Sequence, residues 1–337
     1  MGRISMTALK DSFGRIHRDL RISLTDRCNL RCAYCLPADF SQWLPHANQL
    51  TAAEIRDVVS VATELGITEV RLTGGEPLLR KDLTEIITHI AAVNVRPEIS
   101  LTTNGIGLAK IAANLKDVGL DRINISLDTL NPETFKAITQ RDHFEDVLAG
   151  ISKVIEVGFQ NIKINTVLMR GVNDNEVMNL IQWAGSLGVE LRFIEQMPLD
   201  AKGVWSRSDM ITAKEIFEVT EGLLTLTPIS ERGSAPAESF LVNSGPQKIG
   251  IIASVTQPFC GACDRLRLTS DGYLRSCLFA TSEIDLRSAL RDSSNQSAKE
   301  KIIREKLLMT VQSKAAGHTI NSDQFIKPAR PMSAIGG

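Results

Sequence analysis

Six cysteines make up the whole thiol complement of this 337-residue chain, and they fall into two triplets far apart in sequence. Cys28, Cys32 and Cys35 lie in CNLRCAYC, and Cys260, Cys263 and Cys277 lie in CGACDRLRLTSDGYLRSC. A structural zinc site wants four ligands, often adding histidine to cysteine, and none of the five histidines lies just beyond either triplet. Two chemistries fit three thiolates. One is a zinc centre with an open position; the other is an iron-sulfur cluster held by three cysteines, with one iron free of protein ligands.

Bulk properties narrow the setting of that chemistry. With 43% hydrophobic and 23% charged residues, the composition is that of an ordinary globular protein, long enough for one large domain and an appendage. The opening MGRISMTALK has no apolar run suited to a signal peptide, and no stretch approaches the ~20 apolar residues of a membrane span. A cytoplasmic location without membrane contact is expected, where reduced thiols bind metal rather than pair as disulfides. A net charge of -1 excludes a globally basic nucleic-acid binder. Any polyanionic ligand must be met by a local group of cations.

The elements that carry the triplets alternate in type. Strand-like runs end near Thr25, Thr73, Asn104, Asp128, Thr166 and Met197. Between them lie helical patterns, including Ile55, Val58, Val59 and Ala62 on one face after a capping box, Thr51 to Glu54, and an Asn131-Pro132 helix start. Strand followed by helix, repeated, argues for an α/β fold with a parallel sheet, either doubly wound or curled into a partial barrel. The rhythm fails in ISERGSAPAES, which places a domain boundary near residue 229.

The strands are unusual in parity. Leu20, Ile22 and Leu24 alternate with Arg21, Ser23 and Thr25; Val70 and Leu72 with Arg71 and Thr73; Ile123 and Ile125 with Asn124 and Ser126; Ile162 and Ile164 with Lys163 and Asn165. Strand six keeps Arg192 but breaks the pattern at Phe193, Glu195 and Met197. Parallel strands are normally apolar on both faces, so the polar parity lines an interior that holds something polar. Arg21, Arg71 and Lys163 on that parity, with Arg265 and Arg267 beside the second triplet, suit phosphate groups. Thr102 and Asn104 at a strand end are substrate-positioning candidates.

The spacing Cys28-x3-Cys32-x2-Cys35 after a first strand, with Tyr34 before the last cysteine and TGGEP closing the second strand, resembles the radical S-adenosylmethionine (SAM) superfamily. RLTGGEPLLRKDL, LTTNG, RINISLDTL, RFIEQMP, FCGACDRLRLTSDGYLRSCLF and the terminal IGG extend the resemblance to the GTP 3′,8-cyclase family over nearly the whole chain. That resemblance implies a partial (β/α)6 barrel over residues 1–228 and a C-terminal domain over 229–337, carrying a second iron-sulfur cluster and a Gly-Gly tail. It implies two 4Fe-4S clusters, one on each cysteine triplet. SAM contacts would come from Tyr34, Gly75, Glu76, Ser126 and Met197. GTP contacts would come from Arg21, Arg71, Thr102, Lys163, Arg265 and Arg267, with Arg265 and Arg267 as the catalytic pair. The implied reaction is reductive cleavage of SAM, abstraction of hydrogen from C3′ of GTP, and attack on C8 to give 3′,8-cyclo-7,8-dihydro-GTP for molybdenum cofactor (molybdopterin) biosynthesis. An external one-electron reductant and, downstream, cyclic pyranopterin monophosphate synthase are the implied partners, the chain itself being a monomer or homodimer. Two rivals are a peptide-modifying radical SAM enzyme with an auxiliary cluster, whose domains usually carry more cysteines, and a non-catalytic metal-binding or electron-transfer protein, which would not need a cation-lined barrel.

Overall fold

The computed structural model describes residues 8–336 apart from 201, 202, 204, 230, 231 and 294. The six expected strands are present: β1 (Asp19–Ser23), β2 (Glu69–Thr73), β3 (Glu98–Thr103), β4 (Arg122–Ser126), β5 (Lys163–Leu168) and β6 (Glu190–Glu195). They pair in parallel and in sequence order. After them come β7 (Leu226–Pro228), β8 (Glu238–Val242), β9 (Lys248–Ile252), β10 (Arg265–Leu268), β11 (Tyr273–Arg275) and β12 (Ile284–Asp285). β10 adds in parallel to the free edge of β1, and β9 adds in parallel to β6, so the later chain extends the sheet at both margins. Side chains from every strand between β10 and β9 line one cavity, which requires the sheet to curl; its end strands β12 and β7 stay apart. The architecture is a partial barrel.

Parity decides what each strand buries. Leu20, Ile22, Val70, Leu72, Ile99, Leu101, Ile123, Ile125, Ile164, Leu191 and Phe193 are all 0% exposed beneath the surrounding helices, each contributing about 1.5–3 kcal/mol of apolar burial. The helix Ala52–Glu64 begins with the expected capping box: Thr51 accepts from the Glu54 backbone and Glu54 accepts from that of Thr51. Asn131 caps Pro132–Thr139 through its side-chain oxygen.

The broken pattern at the end of β6 has a packing cause. Phe193 lies on the apolar outer face with its neighbours. Glu195, on the same parity and 1% exposed, accepts hydrogen bonds from the backbone of Ala213, Val255 and Thr256 at 2.8–2.9 Å. Its carboxylate pins the strand end to the helix Ala213–Thr220 and to the segment leaving β9. A charge satisfied by backbone donors can thus occupy a core position.

Candidate active site

The first cysteine loop leaves β1 and is held from two sides. Gly75 N–H donates to the Thr25 carbonyl at 2.6 Å and Glu76 N–H to the Arg27 carbonyl at 2.7 Å. A Cβ on Gly74 would lie 2.4 Å from the Thr25 oxygen, and one on Gly75 2.2 Å from the Arg27 oxygen. The glycine pair is therefore required first by the close passage of the cysteine loop itself. On the other side, the Arg31 and Ala33 amides donate to Thr139 and Ile138, carbonyls at the open C-terminus of Pro132–Thr139.

Cys28, Cys32 and Cys35 are unpaired, partly exposed and face one cavity of ≈ 290 Å³ together with Tyr34, Gly75, Glu76, Ser126 and Met197. Burial pushes the Cys28 thiol up to about 11 and Cys35 up to about 12, and raises Cys32 well above the usual range. Such thiols stay protonated until a metal displaces the proton. An all-sulfur set of three, open toward a cavity, fits a cluster that keeps one iron free for a ligand.

Two carboxylates organise the rim. Glu76, 1% exposed, accepts from Thr103 Oγ1 at 2.7 Å, from Asn104 N–H at 2.7 Å and from Leu78 N–H at 2.9 Å. Burial still drives it up to about 7. Asn104 turns its side-chain amide to Asn29 Oδ1 at 2.7 Å, beside Cys28. Asp128 accepts from Tyr34 Oη at 2.7 Å and from the Val167 amide at 2.8 Å, tying the cysteine loop to β4 and β5. Asp128 lies two residues beyond β4, a strand that was legible in sequence, but nothing in the sequence signalled its pairing with Tyr34.

Below the rim, cations line up. Arg267, Arg21 and Arg71 occupy matching registers on β10, β1 and β2. Like charges directly opposite destabilise a sheet, and compensation within the protein is thin. Asp19 lies 3.6 Å from Arg21 and 4.0 Å from Arg265, while the Nε atoms of Arg21 and Arg71 are buried without a hydrogen-bond partner. Burial and then the neighbouring Arg71 hold Arg21 well below the usual arginine range. Arg192 joins the lining from β6, with Glu190 at 2.5 Å; its inward parity was the available signal, and sequence reasoning did not take it up. Thr102 lines the same space. Lys163 does not: it sits in register with Glu190 at the N-terminal end of the barrel, and burial followed by Arg192 lowers it to about 8.

The second triplet faces an adjoining space of ≈ 70 Å³ that shares Met197, Ser254, Phe259, Arg265, Arg267 and Leu278 with the first. The two sulfur sites thus open on connected volumes, with Arg265 and Arg267 between them. Arg265 stacks over Phe259 at 4.4 Å. Burial would raise Cys263, but Arg265 and Lys314 outweigh it and hold the thiol below its usual value. The chain end also enters here. Arg330 is anchored to Asp271 at 2.9 Å and to Glu283, and the Gly336 carbonyl accepts from Arg267. Gly336 has φ 72°, and a Cβ there would lie 2.8 Å from Thr73 Cγ2. Gly337 lies outside the described residues.

A partial parallel barrel whose first loop turns three thiols toward an arginine-lined cavity beside a strand-end Gly-Gly-Glu defines a radical SAM enzyme, a class built on a 4Fe-4S cluster and SAM. Comparison with known proteins agrees. Residues 22–184 match the model of the radical SAM superfamily, and residues 189–320 that of Molybdenum Cofactor Synthesis C. GTP 3′,8-cyclase of Streptomyces coelicolor is 52% identical over 98% of this chain and 96% of its own length; that of Mycobacterium marinum is 48% identical over 98% and 92%. The chain belongs to the GTP 3′,8-cyclase family. At the level of fold, SuiB of Streptococcus suis resembles it with a TM-score of 0.58 and 13% identity, over 86% of this chain and 65% of SuiB.

Proposed function

We propose that this chain converts GTP to 3′,8-cyclo-7,8-dihydro-GTP in molybdenum cofactor biosynthesis. The observation that carries this reading is the in-register row Arg267, Arg21 and Arg71, in which the buried Nε atoms of Arg21 and Arg71 have no hydrogen-bond partner and call for a polyanion. A triphosphate supplies that charge at the place where the row meets both sulfur sites. A peptide substrate would not, which sets the peptide-modifying reading aside.

Cys28, Cys32 and Cys35 would hold the first 4Fe-4S cluster, and Cys260, Cys263 and Cys277 a second. When bound, the first cluster and SAM supply the one-electron chemistry that activates the C3′–H bond of the substrate sugar. The chain's own residues bind, orient and shield. Gly75 and Glu76 receive the SAM amino group, Tyr34 and Ser126 the adenosine, and Met197 the adenine; Asp128 fixes Tyr34 in place through its hydroxyl. Arg21, Arg71, Arg265 and Arg267 clamp the triphosphate, with Arg192 beside them. Thr102 positions the sugar, and Lys163 acts through its charge from outside the cavity lining. The purine would meet the second cluster, with Arg265 and Arg267 as the catalytic pair.

The division into a barrel of residues 1–228 and a C-terminal part of 229–337 is supported by the two family matches, which meet between residues 184 and 189, and by the cysteine content of each part. No helix among the described residues is long and apolar enough to cross a membrane, in keeping with a cytoplasmic enzyme. It would be served by an external one-electron reductant and would pass its product to cyclic pyranopterin monophosphate synthase.

The test is anaerobic reconstitution with iron and sulfide, followed by SAM, reductant and GTP deuterated at C3′. The label should appear in 5′-deoxyadenosine. Unlabelled deoxyadenosine from a reaction that consumes GTP overturns the assignment.

A further inference from the structure

Lys314 stands at the second cysteine triplet and has no part in the reading above. It is 4% exposed, and its Nζ lies 2.6 Å from the Arg265 carbonyl, 2.9 Å from the Ser276 carbonyl and 3.7 Å from Cys263 Sγ. An ammonium has three N–H donors, and here three acceptors meet them. Arg265 opens β10 two residues after Cys263, and Ser276 immediately precedes Cys277. One nitrogen therefore joins the two backbone segments that present these cysteines.

The charge is the telling part. A buried cation needs a counter-charge, and two neutral carbonyls do not provide one. Among the described residues Lys314 forms no ion pair with a carboxylate, while Arg15 and Arg265 add further positive charge nearby. The anionic partners at hand are the sulfurs of Cys263 and Cys277, charged only as thiolates. The segment is braced from behind. Arg15 donates to the carbonyls of Cys260 at 2.7 Å, Ala315 at 2.7 Å and Ala316 at 3.0 Å, so the first cysteine of the triplet and the turn after Lys314 share one guanidinium.

We propose that Lys314 is a positioning residue for the second cluster: its ammonium balances the thiolate charge, donates to the Cys263 sulfur and holds that cluster at a raised reduction potential. The proposal rests on the reading of Cys260, Cys263 and Cys277 as cluster ligands. Hydrogen bonds and positive charge at cluster sulfurs stabilise the reduced, more negative state.

The experiment uses the full chain with Cys28, Cys32 and Cys35 replaced by alanine, so that only the second cluster titrates. Absence of any cluster in this background with Lys314 intact defeats the second-cluster reading itself. With the cluster present, its midpoint is followed by electron paramagnetic resonance during reductive titration in Lys314→Met and Lys314→Gln. Lys314→Met should shift the oxidised-to-reduced ratio at fixed potential at least tenfold toward oxidised, about 59 mV for a one-electron couple, and Lys314→Gln, which keeps a donor without charge, should shift it less. An unchanged midpoint in Lys314→Met with full iron content overturns the proposal. Should the variants fail to fold, the unsubstituted lysine settles it: protein grown with 15N-lysine should show a nitrogen coupling to the reduced second cluster, and its absence overturns the proposal.

Discussion

Replacing Arg71 by methionine separates a binding role from a structural one. In the ligand-free protein Arg71 faces Arg21 in register across β1 and β2, and its Nε is buried without a partner. Methionine keeps the aliphatic stem, removes a like charge from the row and leaves no partner orphaned, so stability without ligand should hold or rise. The ligand complex loses a charge-assisted phosphate bond instead, about 1.5–3 kcal/mol. At about 1.4 kcal/mol per tenfold, GTP affinity should fall roughly ten- to 150-fold. Thermal unfolding gives the same quantity by linkage. GTP at 100 times the native dissociation constant stabilises the native protein by about 2.7 kcal/mol and should stabilise the variant by only about 0.4–1.4 kcal/mol, for affinity losses of roughly 100- and tenfold. Calorimetric titration with GTP and unfolding with and without GTP are the assays. Unchanged affinity, or a ligand-free protein several degrees less stable, refutes the view that the arginine row awaits a polyanion.

Three further outcomes are expected. Cys28→Ser should abolish reductive SAM cleavage, whereas Cys277→Ser should retain part of it while losing the second cluster; deoxyadenosine yield and iron content together decide, and equal loss in both folded variants contradicts the division of labour. Deleting Gly336 and Gly337 should leave iron content and GTP affinity intact but strongly lower cyclised product; Gly336→Ala should act in the same direction, because its Cβ would lie 2.8 Å from Thr73 Cγ2 at φ 72°. Full product yield from either protein removes the tail from the reaction. Burial and Arg192 hold Lys163 at about 8, below its unfolded value of 10.5. The unfolded chain then binds more protons between those two pH values, so stability should rise with pH across that window and be flat below it. Lys163→Met should abolish the rise, as read from midpoints of urea unfolding between pH 8 and 10, and an unaltered slope assigns it to other groups.

The strands and the first cysteine loop were legible because their signals are local. Alternation with a period of two places Leu20 and Ile22 on one face and Arg21 and Ser23 on the other whatever else the chain does. Three cysteines within eight residues, directly after such a strand, are likewise read without knowing the fold. The capping box at Thr51 and the Asn131-Pro132 helix start are short-range hydrogen-bond chemistry and formed as expected. Even the inward facing of Arg71 follows from the residues beside it.

Tertiary structure alone decided what lies next to what. No local pattern says that β10 crosses from the far end of the chain to pair with β1, or that β9 closes on β6, yet the first pairing sets Arg267 in register with Arg21 and brings the second triplet to the first. The resemblance made Gly75 a SAM contact, but the nearest neighbours of the Gly74-Gly75 pair are the Thr25 and Arg27 carbonyls of the cysteine loop. Glu195 looked like a break in the strand, until distant amides at Ala213, Val255 and Thr256 satisfied it. Lys314 is an ordinary lysine in sequence and a buried cation among sulfurs in space. Side-chain parity and loop spacing are fixed by neighbours along the chain, whereas counter-charge, close approach and register are fixed by groups that only the completed fold brings within a few ångströms.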